Sequence, residues 1–131
     1  MDIKSQEHVQ RNHFAIYNQM TVIETGKQFA VVQMPVTENH LNPGGVAHGG
    51  SLYTLADIAA GSALIYQDQK FTTLNGSINY LSPGILGSLI TATAKVVREG
   101  GSTAVIDVDV TDDQENLLAT AHFTYYKFKN K

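Results

Sequence analysis

One stretch of this chain restricts the possible folds more than any other. From His48 to about Tyr66 the sequence has helical spacing, and Asp57 is the single charged residue in it. Leu52, Leu55, Ala56, Ala59 and Ala63 recur at i, i+3, i+4 and i+7, and Leu64 with Ile65 widens the apolar stripe. Ala56, Ala59, Ala60, Gly61, Ser62 and Ala63 are all small, so other backbone can approach closely. A helix this apolar must be wrapped by other structure rather than laid on a surface.

The wrapping has to come from β-structure. Met20–Thr25 and Gln28–Val36 are β-rich and flank a Gly26-Lys27 turn, with Ala30, Val32, Met34 and Val36 on one face. After the helix come Phe71–Leu81, Leu89–Arg98, Ser102–Thr111 and Leu117–Phe128. Ser82-Pro83-Gly84, Gly100-Gly101 and Asp112–Asn116 separate them. Short turns predict that these last four strands are antiparallel neighbours. Strict alternation places Leu74, Ile78 and Tyr80 opposite Thr73, Asn75, Ser77 and Asn79. Residues 2–17 read as a short N-terminal helix or arm.

The expected architecture is α+β, a curved antiparallel six-stranded sheet around one long central helix. The 131 residues, 43% of them hydrophobic, suit one domain over 1–131, with 1–18 as its arm and no repeat or linker. Free sheet edges are commonly covered by a second copy, so a dimer is expected.

Composition removes several classes of function. There is no cysteine, hence no disulfide or thiolate nucleophile. A formal charge of −3 argues against nucleic acid as the main partner. Lys127, Lys129 and Lys131 read as a solvated tail. No stretch has the roughly 18–20 apolar residues that span a bilayer, and the first residues lack a secretory signal, so a cytoplasmic protein is expected. Histidines 8, 13, 40, 48 and 122 have no zinc-ligand spacing, and Asp107, Asp109, Asp112 and Asp113 read as a solvated edge rather than a metal site.

The chemistry concentrates where the loop Asn42-Pro43-Gly44-Gly45-Val46-Ala47-His48-Gly49-Gly50 opens into the helix. A helix start offers backbone N–H groups without intrahelical partners and the positive end of the dipole, which together can polarise a carbonyl. Asp57 in a greasy helix is either a catalytic carboxylate or a structural one capping a neighbouring loop. Asn42 before proline is also an ordinary turn residue.

His40-Leu41-Asn42-Pro43-Gly44-Gly45-Val46-Ala47-His48-Gly49-Gly50 followed by Thr54-Leu55-Ala56-Asp57 resembles the signature of hotdog-fold acyl-CoA thioesterases of the PaaI-like, phenylacetic-acid type. Ser77-Ile78-Asn79-Tyr80-Leu81-Ser82-Pro83, the Gly100-Gly101 turn and Leu118-Ala119-Thr120-Ala121 extend the resemblance over roughly Met20 to Tyr126. It implies a hotdog fold, a dimer often doubled to a homotetramer, and hydrolysis of a small or aromatic acyl-CoA. Coenzyme A is then part of the substrate, and no separate cofactor or metal is implied. Carried over by position, the catalytic residues are Asn42, Gly49, Asp57 and Thr73. His48 and Gly50 of the turn, with Tyr80, Ser82 and Arg98, are the candidates for substrate binding. A non-catalytic acyl-CoA sensor is the competing reading, and a hydratase the third, although its loop pattern is not seen.

Gly49 and Asp57 are eight positions apart, which on a helix is about 12 Å of rise and ~80° of rotation. One carbonyl cannot touch both. Two copies with antiparallel central helices would place the start of one beside the middle of the other, so the expected site is shared across a dimer.

Overall fold

The computed structural model describes residues 1–129. Two short helices, α1 (Ile3–Gln10) and α2 (His13–Tyr17), precede the hairpin of β1 (Thr21–Gly26) and β2 (Phe29–Pro35). A 3-10 turn at Glu38–His40 leads into the central helix α3 (Gly49–Ser62). Four strands complete the fold: β3 (Phe71–Tyr80), β4 (Leu89–Glu99), β5 (Thr103–Thr111) and β6 (Leu117–Lys127). All neighbouring strands are antiparallel, in the order β1-β2-β4-β5-β6-β3. The sheet curves around α3, as the apolar stripe demanded.

Packing explains that curvature. Leu55, Ala56, Ala59, Ala60, Ala63 and Leu64 are fully buried, facing Ala30, Val32 and Met34 of β2, Ala92 and Ala94 of β4, and Ile106 and Val110 of β5. Alanines on both sides let helix and sheet backbone approach closely, which a Leu-on-Leu layer would prevent. The face expected on β2, with Ala30, Val32 and Met34, is the buried one, and Ala104, Ile106, Val108 and Val110 of β5 are buried in the same alternation. No described helix is long and apolar enough to cross a membrane.

The arm is two helices rather than one. Asp2 caps the first, its carboxylate accepting from the Ser5 N–H at 2.7 Å. Asn12 caps the second through the Ala15 N–H at 3.1 Å, so a capping residue in mid-segment restarts the helix. At its other end α3 stops at Ser62, earlier than its apolar pattern suggested. The following residues turn tightly, Leu64 N–H to Gly61 O at 3.0 Å, and deliver Tyr66 and Gln67 to Glu99.

Three expectations are corrected. First, β3 and β4 are not neighbours: β3 pairs with β6 at the sheet edge, and residues 81–88 cross the end of the sheet to β4. Eight residues can span far more than the three strand spacings of about 4.8 Å involved. The crossing is fixed because the Ala47 N–H donates to Gly84 O at 2.8 Å, and Val46 bridges Ile85.

Second, a β-bulge between Thr73 and Asn75 breaks the alternation of β3. One extra residue shifts the phase. Thr73 therefore shares the helix side with Gly76, Ile78 and Tyr80, while Leu74 is 58% exposed.

Third, Lys127 is no solvated tail. Its side chain is 7% exposed and its Nζ lies 2.8 Å from Glu99 Oε2. Glu99 also accepts from the Tyr66 hydroxyl at 2.6 Å, Gln67 at 2.7 Å and Gln28 at 3.2 Å. Burial pushes the Glu99 carboxyl up, but these donors, Lys127 foremost, outweigh it and hold the carboxyl at about 2. Lys131 falls outside the described residues. Asp107 and Asp109 stand on β5 within the sheet, Asp109 exposed and Asp107 half-exposed in contact with His122.

Candidate active site

The loop before α3 is built around Asn42. Its N–H donates to Val46 O at 2.8 Å, its side-chain Oδ1 accepts from the Val46 N–H at 3.2 Å, and the Gly45 N–H returns to Asn42 O at 3.0 Å. Gly45 adopts φ +85°, a conformation that favours glycine. His40 anchors the base of this loop. Its Nδ1 accepts from the Thr37 N–H at 3.0 Å, so the proton sits on Nε2 and is donated to Asn18 O at 2.8 Å. The His40 carbonyl in turn accepts from the His48 N–H at 2.7 Å.

His48 caps α3. Its Nδ1 accepts from the Gly50 N–H at 2.8 Å, which satisfies one orphan donor of the helix start. The Gly49 N–H has no acceptor among the described residues. Tyr80 closes over the same point, its hydroxyl donating to Gly49 O at 2.7 Å. A groove of about 410 Å³ opens here, lined by Asn42, Ala47, Gly49 and Leu52 on one side and Tyr80, Leu81, Ser82, Pro83 and Gly84 on the other.

Asp57 lies elsewhere. Thr73 Oγ1 donates to its Oδ1 at 2.9 Å, and the Tyr125 hydroxyl lies 2.7 Å from Oδ1 and 2.8 Å from the Asp57 carbonyl oxygen. Thr73 and Tyr125 are register partners on β3 and β6, so their side chains share one face and converge on the same oxygen. Burial, then the Asp57 carboxylate, pushes the Tyr125 phenol well above its ordinary range.

The structure thus sorts the candidate residues into two groups. Asn42, Gly49, Tyr80 and Ser82 meet at the groove, while His48 and Gly50, exposed on either side of Gly49 in the chain, do not line it. Asp57 and Thr73 meet two turns along the helix. Arg98 joins neither: it is exposed beside a bulge at the end of β4 remote from the groove. Tyr125 was missed. Its signal was present, because Ala121, Phe123, Tyr125 and Lys127 alternate onto the buried side of β6.

A family model, the thioesterase superfamily, matches residues 44–119. The chain belongs to that family. This hotdog thioesterase is 37% identical to the acyl-coenzyme A thioesterase PaaI of Escherichia coli over 98 residues, covering 75% of this chain and 70% of that one. It is 40% identical to the 1,4-dihydroxy-2-naphthoyl-CoA hydrolase of Listeria monocytogenes, over 78% of this chain and 83% of that protein. The solved structure of E. coli PaaI superimposes with a TM-score of 0.93 at 29% identity, covering 98% and 93% of the two chains. A hypothetical thioesterase protein from Streptococcus pneumoniae, solved with coenzyme A, superimposes with a TM-score of 0.84, with 34% identity and coverage of 91% of this chain and 95% of that one.

The protein is a PaaI-like thioester hydrolase, and its two residue clusters fit that chemistry in kind. An amide without an acceptor at a helix start suits a developing oxyanion. A carboxylate held by two hydroxyls suits a base or a nucleophile.

Proposed function

We propose that this hotdog thioesterase hydrolyses a small or aromatic acyl-CoA to the free acid and CoA, at sites that each take residues from two copies of the chain. The observation that carries the proposal is the placement of two complementary groups on one helix. Gly49 offers its N–H at the start of α3, and Asp57 is fixed eight residues further on. That separation, about 12 Å along the axis, is too great for one carbonyl. Antiparallel pairing of two α3 helices joins one chain's Gly49 to the other's Asp57.

The thioester oxygen accepts from the Gly49 N–H, and the α3 dipole stabilises the charge that develops on it. Asp57 of the second copy either removes a proton from a water that attacks the carbonyl, or itself attacks to form a mixed anhydride that water then hydrolyses; on both routes the C–S bond breaks and CoA leaves as the thiolate. Thr73 orients the carboxylate and its water, and Asn42 holds the carbonyl or the water at the groove wall. His48 and Gly50 shape the turn that presents Gly49. Tyr80 and Ser82 line the approach of the substrate. Arg98, which stands apart from both clusters, enters the proposal only as a cation of the kind that CoA phosphates require. The aromatic acyl class draws support from the Listeria relative, which is named for a naphthoyl thioester. A homotetramer of two such dimers and a cytoplasmic location complete the proposal.

The test is complementation. Asp57→Ala and Asn42→Ala homo-oligomers should each be nearly inactive against a panel of acyl-CoAs that includes hydroxyphenylacetyl and benzoyl thioesters. Mixing the two chains should restore thiol release through hybrid dimers with one intact site. Absence of recovery in a verified hybrid contradicts the shared site. Oxygen-18 found in Asp57 after a single turnover in labelled water identifies the anhydride route.

A further inference from the structure

Asp57 is held more closely than a general base requires. Two hydroxyls from two strands address Oδ1, Thr73 at 2.9 Å and Tyr125 at 2.7 Å, while Oδ2 has no partner among the described residues. We propose that Tyr125 is a positioning residue for the hydrolysis: together with Thr73 it occupies Oδ1, so that Oδ2 alone meets the water or the thioester carbonyl. The inference rests on Asp57 being the reacting carboxylate.

Several features are arranged to serve this contact. Tyr125 is 5% exposed, and its ring packs against Phe71 with centroids 5.8 Å apart. Its hydroxyl crosses the α3 backbone at Gly61, where a Cβ would lie 3.0 Å from the oxygen. Glycine one turn beyond Asp57 therefore clears the path. The β3 bulge keeps Thr73 on the helix side, opposite its register partner Tyr125. The phenol has one proton and two acceptors, the Asp57 carbonyl at 2.8 Å and the carboxylate. The ionised carboxylate is the stronger acceptor and takes it.

This arrangement has a mechanistic consequence. When Oδ2 accepts a proton from water, Oδ1 remains an acceptor, so neither hydroxyl has to turn away. The carboxylate keeps its orientation through the step. The titratable groups around the pair are Tyr125 from β6, Tyr53 from α3 and, behind Phe71, His8 from α1, stacked on that ring at 5.6 Å and lowered by burial.

Tyr125→Phe keeps the ring and removes the donor. Its kcat should fall about tenfold with KM nearly unchanged. Loss of packing alone lowers the melting temperature and leaves the kcat-to-KM split where it was. Thr73→Ala should lower kcat in the same way, and the double variant should be non-additive because both groups act on one oxygen. Should Tyr125→Phe not fold, Gly61→Ala displaces the same hydroxyl and should give the same fall in kcat. A kcat within twofold of the parent overturns the inference. Asp57→Asn separates the two levels: if it is dead while Tyr125→Phe keeps the parent kcat, Asp57 stands and Tyr125 falls; if it retains full turnover, both fall.

Discussion

The hydroxyl of Tyr80 is bonded to the carbonyl oxygen of Gly49 across 2.7 Å, tying the last residue of β3 to the first residue of α3. A Cβ on residue 49 would lie 3.0 Å from Tyr80 Cζ and 3.1 Å from its hydroxyl. Gly49→Ala should therefore push Tyr80 aside and tilt the amide that faces the groove. The expected result is a fall in kcat/KM of about ten- to a hundredfold, with a small change in melting temperature. Thiol-release kinetics beside a thermal melt will separate the two effects.

Glu99 and Lys127 form a buried pair whose loss is costly. Lys127→Met leaves the carboxylate without its cation and should destabilise the fold by about 3–5 kcal/mol, measured by urea denaturation at pH 7. The sign with pH follows from the folded-state value of about 2 against an ordinary 4.5. Because the value is depressed on folding, the contribution is complete above about 4.5 and is lost as pH falls toward 2. Glu99→Gln should flatten stability across that interval, and an unchanged slope there contradicts the assignment.

His40 is 2% exposed and spends both ring nitrogens on backbone, Thr37 on one side and Asn18 on the other. His40→Ala should cost about 2–4 kcal/mol through the cavity and the unpaired carbonyl of Asn18. The loop carrying Asn42 should loosen with it. Hydrogen exchange at the Val46 and Ala47 amides is the direct readout, and their protection should drop well before that of β5.

Gly76 faces α3 immediately after the bulge. A Cβ there would come within 2.2 Å of the Tyr53 hydroxyl and 2.6 Å of the Phe123 ring. Gly76→Ala should lower stability by about 1–3 kcal/mol through overpacking and displace Tyr53 from its edge contact with Phe123. Calorimetry tests the first effect, and acyl-chain selectivity against the CoA panel tests the second.

Much of the architecture could be read from periodicity. Ala30, Val32 and Met34 alternate in sequence and are buried as expected, and the same alternation in Ala104, Ile106, Val108 and Val110 marks the buried face of β5. What escaped was whatever depends on partners remote in sequence. Nothing in Leu81–Ser88 says that it bypasses β5 and β6, because the contacts that steer it, Gly84 with Ala47 and Ile85 with Val46, lie some forty residues away. The bulge after Thr73 has no proline or glycine at its own position to announce it, and it reversed the face assigned to Leu74. Lys127 looked like tail charge because its partner Glu99 is on another strand. At the site, Gly49 and Asp57 stood out as helix start and lone carboxylate. Tyr125 did not, since an aromatic on a strand reads as core until its hydroxyl is seen to reach a carboxylate.

The edge strand β3 runs opposite to α3 and is fastened to it twice, at Thr73 to Asp57 and at Tyr80 to Gly49. The seven-residue interval between these fasteners works as a measuring stick for both reactive centres. A residue gained or lost between Thr73 and Tyr80 throws one centre or the other out of phase with its helix. Changes of length are therefore forbidden on β3, although the strand lies at the edge of the sheet.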